Sequence, residues 1–315
     1  MDYVLSYKHR LGGGIINKLC SLGYGGVDIF LFLSGFGLYY SSLKKLPFFT
    51  FLKKRLIRII PAFWLSLLLL DVFFGKFEWV TFLWKMTTIG YWLPFLHIPY
   101  SLWYISAILV FYLIFPLFIH YFNKRPVGTL LLFCFIGFLL TGIYVWYYLF
   151  LHPGEKGYLV FFTARIPIFF IGAYVGCLSN RTEISKRIVN FSIVLSALFS
   201  CILCVITSYF DYCILRNGAL YYLPFIFIVP GLCVLVSRVI ERIPKSCNSL
   251  LKFIGSLSLE LYLVHEYLFA NLRLFEVWIG ISESWAWVVV FILSFALAYM
   301  LSILVKYVLF LFRYK

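Results

Sequence analysis

The sequence predicts an all-α, polytopic transmembrane bundle of about nine spans. Three observations carry this. Of 315 residues, 63% are hydrophobic and only 12% charged, and the mean hydropathy is +0.98, whereas soluble domains are about 25% charged. The apolar residues form runs of about 20, long enough as helices to cross the hydrocarbon core. The runs are continuous rather than alternating, which excludes a barrel, and a backbone in lipid must then satisfy itself as helix.

The runs cover residues 23–43, 59–75, 101–122, 127–149, 158–178, 188–210, 220–238, 250–271 and 285–311. The second is short and is expected to borrow flanking residues. Residues 76–100 mix Trp, Tyr, Lys and Pro and read as an interfacial segment. No linker, repeat or low-complexity tract interrupts the chain, so residues 1–315 are expected to form a single integral membrane domain. The net charge of +15 does not point to nucleic acid, because the basic residues sit in short clusters between the apolar runs. The eight cysteines are scattered, mostly within those runs, which is no disulfide framework. Cys201 and Cys204 form a C-x-x-C without a partner pair, and small-residue packing explains them better than a metal. No apolar core follows a basic start in the first 20 residues, so no cleavable leader is expected.

Loop charges orient the bundle. Eighteen Lys and Arg fall on one side, including the Lys44–Arg58 cluster, Arg238–Lys252 and the C-terminal tail, and eight on the other; Arg165, inside a run, completes the 27. This bias places the C-terminus in the cytoplasm. Nine spans then put the N-terminus outside, although it carries Lys8, Arg10 and Lys18. A further span before residue 1 would remove the conflict, and the chain is expected to begin inside or just after a first helix.

Polar residues in or beside spans are the functional candidates. Asp28, three residues into GVDIFLFLSGFGL, reads either as a carboxylate favoured near a helix N-terminus or as an acid or orienting group for a buried base. In FLKKRLIRIIPAFW, Arg55 and Arg58 share a helix face at the cytoplasmic mouth of a span, with Pro61 expected to fix how the chain enters it. Such arginines either anchor the helix or grip phosphate in two-pronged fashion. Trp103 and Tyr104 open SLWYISAILVFYLIFP as a possible aromatic belt. Arg165, in ARIPIFFIGAYVG, needs a partner or an aqueous cavity unless it snorkels to the interface. In IGSLSLELYLVHEY, Ser258, Tyr262 and His265 recur at i, i+4 and i+7 and line one stripe, from which Glu260 and Glu266 fall away. Of the remaining histidines, His9, His97, His120 and His152, none shows metal-site spacing, but a lone histidine can serve as general base.

Together these stretches resemble membrane-bound acyltransferase family 3, polytopic O-acyltransferases of sugars and cell-surface polymers. The match runs in the family's order from residue 25 to 267, and the G-V-D-x-F-x-x-x-S-G-F core is its most specific part. The resemblance implies transfer of an acyl group, commonly acetyl from acetyl-CoA, to a hydroxyl of a sugar or cell-surface polysaccharide. Acetyl-CoA would be a donor substrate, and no permanently bound cofactor or metal is implied. The setting would be the plasma (inner) membrane. The family has ten core helices, and the absent one here is the first. That helix carries a basic residue and, later, a histidine thought to act in catalysis. His9, sixteen residues before Gly25, is the nearest candidate. The flanking YVLSYKHRLGGG is too polar for a membrane helix, so His9 is either the catalytic histidine on a shortened helix or a loop residue beyond it. On this reading His9 and Asp28 are catalytic, and Arg55 and Arg58 hold the CoA phosphates. Ser34, Trp103, Arg165, Ser258, Tyr262 and His265 line the substrate cavity, with Ser34 and Gly35 permitting close helix approach. The rival readings are a transporter or flippase for a glycan or lipid precursor, against which the lack of internal repeats counts, and a catalytically inactive family member.

Overall fold

The computed structural model describes residues 25–74, 77–92, 103–151, 159–181, 194, 198, 223–280 and 282–313. The described elements are helical, with no strand among them. In chain order they are α1 (Gly26–Ser42), α2 (Phe48–Phe73), α3 (Trp79–Met86) with a 3-10 turn at Ile89–Trp92, α4 (Trp103–Phe122) and α5 (Pro126–Trp146). There follow α6 (Val160–Thr163), α7 (Ile166–Arg181), α8 (Leu223–Arg242), α9 (Lys245–Ser256), α10 (Ser258–Ala270), α11 (Leu272–Ile279) and α12 (Glu283–Arg313).

Among the described residues, five helices are long and apolar enough to cross a membrane: Phe48–Phe73, Trp103–Phe122, Pro126–Trp146, Val160–Asn180 and Trp285–Leu311. The pair Cys247–Ser256 and Ser258–Phe269, bent by 58°, makes a sixth if it crosses as one span. The all-α transmembrane class expected from the sequence is thus what the chain adopts. Most of the run at 188–210 lies outside the described residues.

The short second run does borrow its flank. The helix α2 begins at Phe48, so Lys53, Lys54, Arg55 and Arg58 are helical and Pro61 sits inside the helix rather than at its start. Straight-chain basic residues are good helix formers, and their apolar stems can lie along the helix while the heads reach water.

The helices group into two compact units. The first holds the described residues up to Pro47 together with Val110–Arg242. Its centre is α7, and the Val160–Asn180 stretch is 78% buried against 22% for Pro126–Trp146, whose bare apolar side chains suit lipid. The α1 and α7 helices run parallel in very close contact. A Cβ at Gly35 would lie 2.0 Å from the Phe169 carbonyl oxygen, and one at Gly172 would lie 2.1 Å from that of Phe32. Gly172 and Gly176 form a G-x-x-x-G face, the pattern that lets two backbones approach where no hydrophobic effect drives helices together. Against the other side of α7, Phe111, Phe115, Phe118 and Phe122 bury one face of α4. Phe111 stacks on Phe169 at 4.2 Å, and Phe118 meets Phe170 at 4.4 Å.

The second unit comprises Phe48–Leu109 and Ile243–Lys315. Here α2 and α10 run parallel: Arg58 meets Glu260 at one end, and Asp71 meets Tyr267 at the other. The α12 helix returns antiparallel, with Phe269 stacked on Trp287 at 5.0 Å and Phe253 against Tyr299 at 5.9 Å.

The glycine contacts give a direct test. Gly35→Ala and Gly172→Ala are expected to cost about 1–3 kcal/mol each through overpacking. Gly26→Ala and Gly37→Ala, where a Cβ meets nothing within 4 Å, are expected to be neutral. Thermal unfolding of the four detergent-purified variants checks this.

Candidate active site

In the first unit the site is a buried ion pair. Asp28 is the third residue of α1, where the helix N-terminus favours a negative charge. Arg165 sits in the break between α6 and α7, just ahead of Pro167, which lacks a backbone donor and suits a helix's first turn. Arg165 Nε lies 2.9 Å from Asp28 Oδ1, and the two side chains are 3% and 2% exposed. Nη1 of the arginine also donates to the Phe161 carbonyl at 3.1 Å. Snorkelling is therefore ruled out for Arg165, and the carboxylate opposite is the partner that a buried guanidinium requires. The second carboxylate oxygen, Asp28 Oδ2, is buried and accepts no hydrogen bond from the described residues. One oxygen of Asp28 is thus committed to the fold, and the other is open to a donor. Ser34, on the same helix, is half-buried.

In the second unit, Arg58 Nη2 donates to the carbonyl of Ser256 at 3.2 Å, and its Nη1 lies 3.6 Å from Glu260 Oε1. The guanidinium thus covers the C-terminus of α9 at the break before α10, where free carbonyls favour a cation. Its side chain remains 55% exposed while that of Glu260 is 1% exposed, and Glu260 Oε2 accepts no hydrogen bond from the described residues. Arg55, half-buried, lies with its guanidinium carbon 5.8 Å from the Phe51 ring centroid.

The polar stripe of α10 lies farther along. Trp103 and Tyr104 are buried and touch edge to face, and Tyr104 meets Tyr262 at 5.1 Å. Tyr262 is followed by His265 at 5.9 Å between ring centroids. His265 Nδ1 lies 2.8 Å from the Leu261 carbonyl oxygen and 3.0 Å from that of Tyr262. Carbonyls only accept, so Nδ1 is the donor in both contacts. Ser258 and His265 are half-buried at the two ends of the stripe.

Compared with known families, the sequence matches the acyltransferase domain of acyltransferase family 3 over residues 3–305. The chain belongs to this family. No curated protein and no solved structure matches it.

Several residues expected in this acyltransferase's site come together: Asp28 with Arg165, and Trp103 with Tyr262 and His265 through Tyr104. His9 lies outside the described residues. Glu260, which falls off the Ser258–Tyr262–His265 stripe, pairs with Arg58. It shares with Tyr267, seven residues on, the face of α10 that meets α2. Asp71, Lys85 and Tyr267, a buried polar cluster in the second unit, carry no motif that singles them out. The one available signal was a lone aspartate near the end of an apolar run, with a lysine fourteen residues on.

A double-mutant cycle tests the Asp28–Arg165 pair. Arg165→Leu or Asp28→Leu alone leaves a buried charge and is expected to cost about 3–5 kcal/mol. The double variant is expected to recover most of that loss in thermal unfolding, because it leaves no unpaired charge.

Proposed function

We propose that this membrane acyltransferase moves an acetyl group from acetyl-CoA to a hydroxyl of a sugar or cell-surface polysaccharide. The observation that carries the reading is Asp28: one oxygen held by Arg165, the other buried and open. His9 is the general base. The open oxygen of Asp28 accepts from the imidazole, fixes its orientation and stabilises its protonated form, as a carboxylate does in hydrolase triads. The base takes the proton of the sugar hydroxyl. The resulting oxygen attacks the thioester carbonyl, the carbon–sulfur bond breaks, and CoA leaves as a thiol with that proton.

Arg58 serves the donor. Its guanidinium is anchored on one edge by the Ser256 carbonyl and by Glu260, and its half-exposed remainder suits a phosphate. Arg55, one turn earlier, adds a second positive charge. Ser258, Tyr262 and His265 line the acceptor side, where aromatic rings and hydroxyls suit a sugar.

The enzyme sits in the plasma membrane with its C-terminus in the cytoplasm. Helix directions in the second unit support this orientation. The parallel course of α2 and α10 puts the Lys53–Arg58 cluster and Lys252 at one end, and antiparallel α12 returns Lys306 towards that same end. A cytoplasmic donor site at Arg58 fits, since acetyl-CoA is made there.

Transfer of label from radioactive acetyl-CoA to glycan in isolated membranes tests the reading. His9→Ala is expected to lower the rate about 10²–10⁴-fold. Arg58→Ala is expected to raise KM for acetyl-CoA about tenfold, as loss of a charged hydrogen bond does, with little change in kcat. Full transfer by His9→Ala would overturn the assignment of the base.

A further inference from the structure

The unexplained feature is residues 77–92. The sequence reads them as interfacial, yet they fold back along α2. The chain leaves α2 after Phe73, and α3 then runs beside it in the opposite sense. Lys85 Nζ reaches Asp71 Oδ2 at 2.8 Å, and the Met86 carbonyl accepts from Trp64 Nε1 at 3.0 Å. Trp64 lies nine residues, roughly 13 Å, inside the end of that helix, well within its apolar run. Lys85 is 6% exposed and Asp71 fully buried, while Trp79, Val80 and Leu83 on the other faces of α3 are bare. That distribution suits a short helix embedded beside a span, with lipid outside and its one charge neutralised within.

These contacts continue into the site. After α3 the chain turns through Thr88, whose φ of 60° is strained for a β-branched residue. The Thr88 carbonyl is held at 3.0 Å by Ser106 Oγ, in the first turn of α4. Two residues before Ser106, Tyr104 packs on Tyr262. Five residues after Tyr262, Tyr267 donates its hydroxyl proton to Asp71 Oδ1, and Phe74 stacks over its ring at 6.0 Å. The contacts close a ring: Asp71 to Lys85, Thr88 to Ser106, Tyr104 to Tyr262, Tyr267 back to Asp71.

We propose that residues 77–92 are a re-entrant segment latched by Asp71, Lys85 and Tyr267, and that Asp71 and Lys85 are positioning residues for the Tyr104–Tyr262 wall of the substrate site. The positioning half rests on the reading above, in which the Tyr262 stripe lines the acceptor side; the re-entrant half does not. The latch works because both charges are buried together. Removing one leaves the other unpaired in an apolar setting, which favours release of the segment to the interface. Removing both with apolar groups leaves nothing to solvate, and the segment stays in place.

The test uses the full chain in native membranes. With a cysteine at Met86→Cys, labelling by a water-soluble maleimide, counted above that of the parent's own cysteines, is expected to be at least roughly tenfold slower than after unfolding in detergent. Adding Lys85→Met is expected to abolish that protection, and Asp71→Leu/Lys85→Met to restore it. In the acetyl-transfer assay, without the added cysteine, Lys85→Met is expected to lower kcat per folded molecule about ten- to hundredfold. KM for acetyl-CoA should stay nearly constant, and the double variant should recover the rate. Rapid labelling of Met86→Cys in the otherwise unaltered chain overturns the re-entrant placement. An unchanged kcat in Lys85→Met overturns the positioning role. Should Lys85→Met fail to accumulate, the double variant must accumulate and be protected; its failure overturns the latch. Because labelling needs no catalysis, it decides the latch even if no form of the chain transfers acetyl.

Discussion

The first unit depends on one constraint: an arginine buried among apolar helices must meet a carboxylate. Arg165 satisfies it with Asp28, and the geometry around the pair follows. The two residues sit at corresponding ends of parallel α1 and α7, so bringing them to 2.9 Å sets the register of both helices. Farther along, that register holds only because Gly35 and Gly172 have no Cβ to strike the facing carbonyls. Ion pair and glycine face are two ends of one arrangement. Lipid supplies no force to press helices together, so packing and polar pairing must do so.

The second unit uses the same physics with a different division of labour. Its parallel pair, α2 and α10, is tied at both ends. One tie is half-exposed and contains an open buried oxygen on Glu260; the other is buried, with Asp71 engaged through both oxygens. An open group beside an accessible arginine suits binding, whereas a satisfied cluster suits holding. That contrast is the basis for proposing a donor site at Arg58 and a latch at Asp71. It also explains how Lys85 can be embedded although it looks like a loop charge in the sequence.

The sequence showed the helical class and the residues worth watching, because apolar runs and the polar exceptions within them are local features. Asp28 and Arg165 each stood out as a charge in an apolar stretch. Their partnership did not, since 137 residues separate them and only the fold brings them together. Helical periodicity puts Ser258, Tyr262 and His265 on one stripe and Glu260 off it, but it cannot show that Glu260 meets Arg58, because that contact joins two helices far apart in the sequence. The span at Phe48–Phe73 reads short in the sequence because hydropathy stops at the basic residues, while helix formation does not. For residues 77–92, composition resembles an interface. Depth is decided by Lys85 finding Asp71 and by Trp64 bonding to Met86, neither of which composition records.

The central claim is that Asp28 serves the chemistry through its open oxygen as well as the fold through Arg165. The most direct measurement is acetyl transfer from labelled acetyl-CoA by the Asp28→Leu/Arg165→Leu double variant, normalised to folded protein in the same membranes. The double variant is expected to fold close to normally and to transfer at least roughly a hundredfold more slowly, because the imidazole has lost the group that orients it. Transfer at the unaltered rate by the folded double variant would contradict the claim and reduce the pair to a structural tie.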